Sequence, residues 1–193
     1  MQVTPSLDGG YDLLTLGETL LRLSPPGQQR LDQARLFEIG VGGSELNVGC
    51  LLARLGRRVA WVSRLPAGPL GRIVDGEARR HGVDTSWVRW IENARLGLMF
   101  YEPGPLPRTS SVIYDRKHSA ASELAFEDAP WESLVQASAW LHLSGITPAL
   151  GPSAPPRSPA STSCGRTTIS SSTSGSPCRR ARHCRKPLTA SGN

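Results

Sequence analysis

The last 43 residues of this 193-residue chain contain no acidic side chain and no aromatic one. All 16 Asp and Glu, and every Trp, Tyr and Phe, lie in the first 150 residues. The net charge of +6 therefore belongs to the tail, which carries seven Lys and Arg, while the first 150 residues set 15 basic groups against their 16 acids. A basic average that suggests nucleic acid is thus a property of one end only, and a nucleic-acid partner is not expected. Long apolar runs are also absent. Nothing approaches the roughly 20 residues of a membrane span. The start, "MQVTPSLDGG", has no basic stretch followed by an apolar one, so no export signal is read. The expectation is a cytoplasmic protein without a membrane partner. Cysteine is scarce, and three of the four lie in the tail. Cys164, Cys178, His183 and Cys184 are spaced C-x13-C and C-x4-H-C, without the paired knuckle of a zinc site, so no metal is assigned to them. No G-x-x-x-x-G-K-[ST] occurs, which excludes a P-loop.

The tail also lacks large apolar residues and any hydrophobic period. It cannot bury enough surface to offset its ordering entropy, so residues 153–193 are expected to be disordered. Their Arg, Ser, Pro, Thr and Cys content begins abruptly after "LHLSGITPALGPS". That composition is typical of an out-of-frame read of a GC-rich gene. A frameshift near Ser153 is the expected origin, and a genuine Ser-rich extension is the alternative.

The first 150 residues alternate differently. "YDLLTLGETLLRLSP" predicts two strands around a Gly-Glu turn, closed by Pro-Pro. A further short strand is expected around Leu36 to Ile39. Ser44 is the expected N-cap of a helix running to about Leu55, with Gly56 just past its end and Leu46, Cys50, Ala53, Leu51 and Leu55 on its apolar face. "RRVAWVSRL" predicts a buried strand. "PLGRIVDGEARRHGV" predicts a second helix with Ile73, Val74 and Ala78 inward and Gly82 as its stop. "VRWIE" follows as a strand. "GLMFYEPG" and "SSVIYDRK", joined by "PLPRT", predict a hairpin. A short helix over "WESLVQASA" and a buried strand over "WLHLSGI" complete the series. Strand and helix in alternation argue for an α/β fold with a largely parallel sheet, and the inserted hairpin for a lid or an edge against a second chain.

The glycine loop "GVGGSELN" lies directly before a helix N-terminus, where outward N–H groups and the helix dipole favour electron-rich atoms. A dinucleotide is one ligand of that chemistry, and Ser63-Arg64 after the next strand would suit an NADP phosphate. A polyol or sugar acid is another, with the Asn47 amide both donating to and accepting from hydroxyls. A plain tight turn, with Asn47 bonding local backbone, stands beside both.

"VGGSELNVGCLLARLG" resembles the N-terminal signature of the PfkB, or ribokinase-like, carbohydrate kinases. "WVSRLPAGPLGRIVDGEARRHGVDTSWV" is similar to the strand, turn and helix that follow it in that family. "VIYDRKHSAASEL" and "WLHLSGITPAL" resemble the 2-keto-3-deoxygluconate kinase branch. The resemblance covers roughly residues 11–151. It implies a ribokinase-like fold, here the N-terminal part only, over residues 1–152. It implies that Gly42, Gly43 and Asn47 contact substrate hydroxyls, and that Tyr114 and Arg116 on the lid contact a sugar acid. Arg116 would suit the carboxylate, because a guanidinium can bond it bidentately. Met99 stands where a substrate-facing Tyr is expected, Gly49 replaces a small Ala or Ser, and "PAGPLG" lacks the common Asp.

In the complete family ATP and magnesium serve a C-terminal half with a G-A-G-D motif, whose Asp takes the proton from the attacking hydroxyl. This chain contains no G-A-G-D. The expectation is a truncated sugar kinase homologue, inactive alone, with its sheet cut to expose a central strand. A non-catalytic fragment that binds sugar, or dimerises through the lid hairpin, is the alternative, and an NADP-binding domain the more distant one.

Overall fold

The computed structural model describes residues 10–145, residue 147 and the backbone of 167–170. Five strands form one parallel sheet: β1 (Tyr11–Leu16), β4 (Val59–Pro66), β5 (Val88–Ile91), β8 (Ser138–Ser144) and β9 (Thr167–Ser170). Their spatial order is β5-β4-β1-β8-β9. Both faces of this sheet are covered, so its strands are apolar almost throughout and successive residues serve opposite faces. Leu13, Val59, Trp61 and Leu65 point to one face, where they meet Leu46 of α1 (Ser44–Arg54) and Val74 and Ala78 of α2 (Pro69–Arg80). Leu14, Leu16, Ala60 and Val62 point to the other, where they meet Trp131, Leu134 and Val135 of α3 (Trp131–Gln136).

Four more strands make a second sheet in the order β3-β2-β6-β7, namely β3 (Glu38–Gly42), β2 (Leu20–Ser24), β6 (Leu98–Glu102) and β7 (Ser111–Asp115). The expected hairpin is β6 and β7, paired antiparallel from Leu98↔Asp115 to Glu102↔Ser111. It is half of the lid rather than all of it. β2 and β3 supply the other half, with β2 running parallel to β6. The strand expected near Leu36 to Ile39 lies further on, because pairing with β2 extends it to Gly42.

Several local expectations need adjustment. Gly43, with extended backbone, is the N-cap of α1, and Ser44 is its first residue. Gly43 takes that place because a Cβ there would meet the Glu18 carbonyl oxygen at 2.6 Å and Thr19 Oγ1 at 2.7 Å. Asn47 is therefore one position deeper, its N–H bonding the Gly43 carbonyl at 2.8 Å. Gly56 and Gly82, at φ +79° and +86°, follow α1 and α2 as expected of helix stops. Leu51, Leu55 and Ile73, assigned inward from the sequence, are exposed. The close layer beneath α1 uses Gly49, whose position accepts Thr15 and Val59 within 3.2 and 3.3 Å of a virtual Cβ. That contact turns the helix so that Leu46 is buried and the flanking Leu51 and Leu55 face out.

Of the tail expected to be disordered, only 167–170 are described. They pair with β8 in parallel, from Leu141↔Thr167 to Ser144↔Ser170, so β8 is not the edge of the sheet. The remaining tail residues lie outside the described part.

Candidate functional site

Strand order places a crevice before any side chain is considered. β4 follows β1 on one side of the parallel sheet, and β9 follows β8 on the other. The carboxyl ends of β1 and β8, which lie side by side, thus mark the point where the winding reverses, and open α/β sheets bind ligands there. The chain leaves β1 through Gly17, Glu18 and Thr19 into the lid, and returns from the lid through Gly43 into α1. The N-terminus of α1 therefore lies beside that crevice.

Two buried carboxylates that sequence reasoning passed over organise this junction. Glu18 is buried to 2% of its side-chain surface, and Arg116 donates to it from Nε at 2.7 Å and also from Nη2. Ser119 Oγ donates to its other oxygen. Gly97 makes this approach feasible, since a Cβ there would lie 2.8 Å from Glu18 Oε1. Glu45, in the first turn of α1, is buried under Gly17, whose virtual Cβ would meet Glu45 Cδ at 2.3 Å. Its carboxylate accepts from Ser144 N at 3.1 Å, Ser144 Oγ, Thr147 Oγ1 at 3.0 Å and Ser44 Oγ at 2.6 Å. Burial pushes the Glu45 carboxyl up, but the hydrogen bonds from Ser144, Ser44, its own backbone and Thr147 outweigh it and hold the group below its ordinary 4.5. Glu45 thereby ties α1 to the end of β8, and Glu18 ties the lid to the end of β1. Glu18 directly follows Gly17, and Glu45 lies two residues after Gly43.

The pairing register assigns every lid residue to a face. Gly40, Arg22, Met99 and Tyr114 are opposite one another across the four strands and share one face. Gly42 and Arg116 extend the same face by one further row. Val41, Leu21 and Leu98 point the other way and join the core cluster under α2. The expected site residues Gly42, Tyr114 and Arg116, with the substituted Met99, are thus brought to one side of the lid. Only the Met99 Cε, at 3.8 Å, approaches a virtual Cβ of Gly42. Tyr114 is exposed, with Arg116 Cζ 5.7 Å from its ring centre. Asn47 is exposed on α1 one turn beyond Gly43. Arg116 differs from expectation in one respect: the Nε–Nη2 edge suited to a bidentate carboxylate already holds Glu18.

A concavity of about 820 Å³ lies elsewhere, along β5. Its charged groups already have partners, Arg89 with Asp128 at 3.4 Å and Asp84 with Tyr11 at 2.5 Å. Size alone does not make it the site. The glycine loop follows β3 of the lid rather than β1 of the parallel sheet, so the strand–loop–helix unit of a dinucleotide site is not formed there.

A family model for pfkB family carbohydrate kinases matches residues 12–162. The chain belongs to the PfkB family of sugar kinases. It is 45% identical over 139 residues to a 2-dehydro-3-deoxygalactonokinase of Haloferax volcanii, which covers 72% of this chain and 43% of that protein. It is 33% identical over 139 residues to a 2-dehydro-3-deoxygluconokinase of Bacillus subtilis, with the same coverage of each. The crystal structure of the 2-dehydro-3-deoxygluconokinase of Thermotoga maritima superposes with a TM-score of 0.69 at 43% identity, over 72% of this chain and 42% of that one. A PfkB protein of Polaromonas gives 0.76 at 29% identity, over 84% and 56%. The chain spans less than half the length of these curated relatives. The fold is the ribokinase-like α/β fold read from the sequence, with a parallel sheet and a strand-built lid. No helix among the described residues is long and apolar enough to cross a membrane.

Proposed function

We propose that this chain forms the acceptor side of a sugar kinase site and binds a 2-keto-3-deoxy sugar acid. The observation that carries this reading is the shared lid face of Gly42, Met99, Tyr114 and Arg116 beside the N-terminus of α1. Gly42 and Gly43 would present backbone to the acceptor hydroxyls, and Asn47 its amide. Tyr114 would add its hydroxyl, and Arg116 the nitrogen that Glu18 leaves unused. The names of the similar proteins support the substrate class.

In the complete reaction the γ-phosphoryl of ATP, with magnesium, passes to an acceptor hydroxyl. The residues present do not fit that donor. No group of three or more His, Cys, Asp or Glu able to hold a metal occurs among the described residues, and the sequence has no G-A-G-D. The chain therefore binds acceptor without transferring phosphoryl to it. Calorimetric titration with 2-keto-3-deoxygluconate tests the first half of this statement, and a coupled assay of ATP consumption the second. Absence of binding refutes the acceptor role, and turnover well above a no-enzyme control refutes the inactivity. A separate reading concerns residues 153–193: we propose that they arise from a frameshift near Ser153. The gene decides it, since shifting the frame there must open a long coding sequence of ordinary composition.

A further inference from the structure

We propose that Arg22 is the residue that recognises the carboxylate of the acceptor. This rests on the acceptor site described above and adds a residue to it. Arg22 lies in the same cross-strand row as Met99 and Tyr114, one strand from each of β3 and β6, and shares their face. Its side chain is exposed. The guanidinium folds over Gly40, where a Cβ would lie 3.2 Å from both Nε and Nη2, and its Cζ sits 5.9 Å from the ring centre of Tyr101. The missing Gly40 side chain and the Tyr101 ring therefore fix its position. No carboxylate among the described residues lies within ion-pair distance of it, and none of its five N–H donors has a hydrogen-bond acceptor there.

Arg116 contrasts with it on the same face. Its charge is balanced by the buried Glu18, and the edge that would grip a carboxylate is engaged. A sugar acid reaching this face meets one guanidinium already neutralised and one free. The free one is planar, bidentate in reach, and lies beside the Tyr101 ring with no competing acid among the described residues. Recognition of an anion follows from that difference. A neutral sugar of the same shape has nothing to offer Arg22.

The test titrates the full 193-residue chain with 2-keto-3-deoxygluconate and with its methyl ester, which removes the charge and keeps the hydroxyls. The native chain is expected to bind the acid about tenfold to a hundredfold more tightly than the ester, the range of one charge-assisted contact. Arg22→Gln should erase that preference by weakening the acid and leaving the ester unchanged. Arg22→Lys should restore part of it, since the charge returns without the fork. Gly40→Ala should weaken the acid alone, by displacing the guanidinium. An unchanged thermal midpoint in Arg22→Gln excludes a folding effect, because no protein acceptor is lost. If Arg22→Gln keeps the native preference while Asn47→Ala weakens both ligands, Arg22 is not the carboxylate residue and the acceptor site stands. If the native chain binds neither compound, the acceptor site and this inference fall together.

Discussion

The two sheets of this molecule solve opposite problems. The parallel sheet buries both faces, and β4 reads as a nearly continuous apolar run with Val59 to Val62 at 2% exposure or less. The lid buries one face at its base and leaves the other exposed, and β7, at its edge, is exposed along its whole length. Burial on both sides makes a scaffold whose strands cannot shift. One-sided burial makes a cover that a polar anchor must hold, and that anchor is the Glu18–Arg116 pair, while Glu45 ties α1 to the scaffold.

The largest expected effect breaks the scaffold alone. Trp61→Ala removes a fully buried side chain and its Nε1 hydrogen bond to the Gly17 carbonyl at 3.2 Å. The expected loss is about 3–5 kcal/mol in a denaturant titration. Ile113→Ala, on the exposed lid strand, should change stability by less than about 0.5 kcal/mol. Equal losses at the two positions would erase the distinction between the sheets.

Breaking the lid anchor comes next. Arg116→Ala leaves the Glu18 carboxylate buried with one hydroxyl partner, at an expected cost of about 2–4 kcal/mol. Hydrogen exchange should locate the loss: amides of β6 and β7 should exchange faster, while those of β1 and β4 keep their protection. Uniform acceleration would show that Glu18 serves the whole fold rather than the lid.

The Glu45 anchor should appear as a pH dependence. Its folded-state pKa is depressed, so its contribution is present above pH 4.5 and is lost as pH falls through the lower folded value. Glu45→Gln should flatten the stability profile below pH 4.5 and cost about 1–3 kcal/mol at neutral pH. A profile that keeps its native slope in the variant would assign the acid sensitivity to other carboxylates.

The smallest effect lies at the base of the scaffold. Burial, with the hydrogen bond to Asp84, pushes the Tyr11 phenol from 10.0 up to about 12. A raised pKa favours the neutral phenol in the fold, so its contribution holds below pH 10 and fades as pH rises towards 12. Ultraviolet difference titration should show one of the three tyrosines ionising last, and Tyr11→Phe should remove that step and cost about 1 kcal/mol. A normal titration for all three would mean that the Asp84 contact is open to water.

Much of the scaffold was legible because its information is local. The nearly continuous apolar run in 59–66 predicts a strand buried on both faces, and Gly56 and Gly82 mark helix ends by their left-handed backbone. The lid was half legible. Its hairpin has turn chemistry between two strand-like runs, but nothing near 20–24 or 38–42 announces that those strands pair beside it. Leu51 and Leu55 face out because the rotation of α1 is set by Gly49 against Thr15 and Val59, not by the apolar count, and Ile73 faces out because α2 turns Gly71, Val74 and Ala78 inward.

The sequence by itself determined the order and type of most elements, the glycine loop before α1, and the family signature. Tertiary structure alone decided which charges are free. Glu18 meets Arg116 across 98 positions and Ser119 across 101, and Glu45 meets Ser144 across 99. Periodicity reports which face a residue takes, because neighbours on a strand or helix fix it. The partner of a charge is fixed by whatever the fold brings opposite. That is why Arg116, the guanidinium expected from sequence to be available to a ligand, is engaged, and Arg22 has no acidic partner among the described residues.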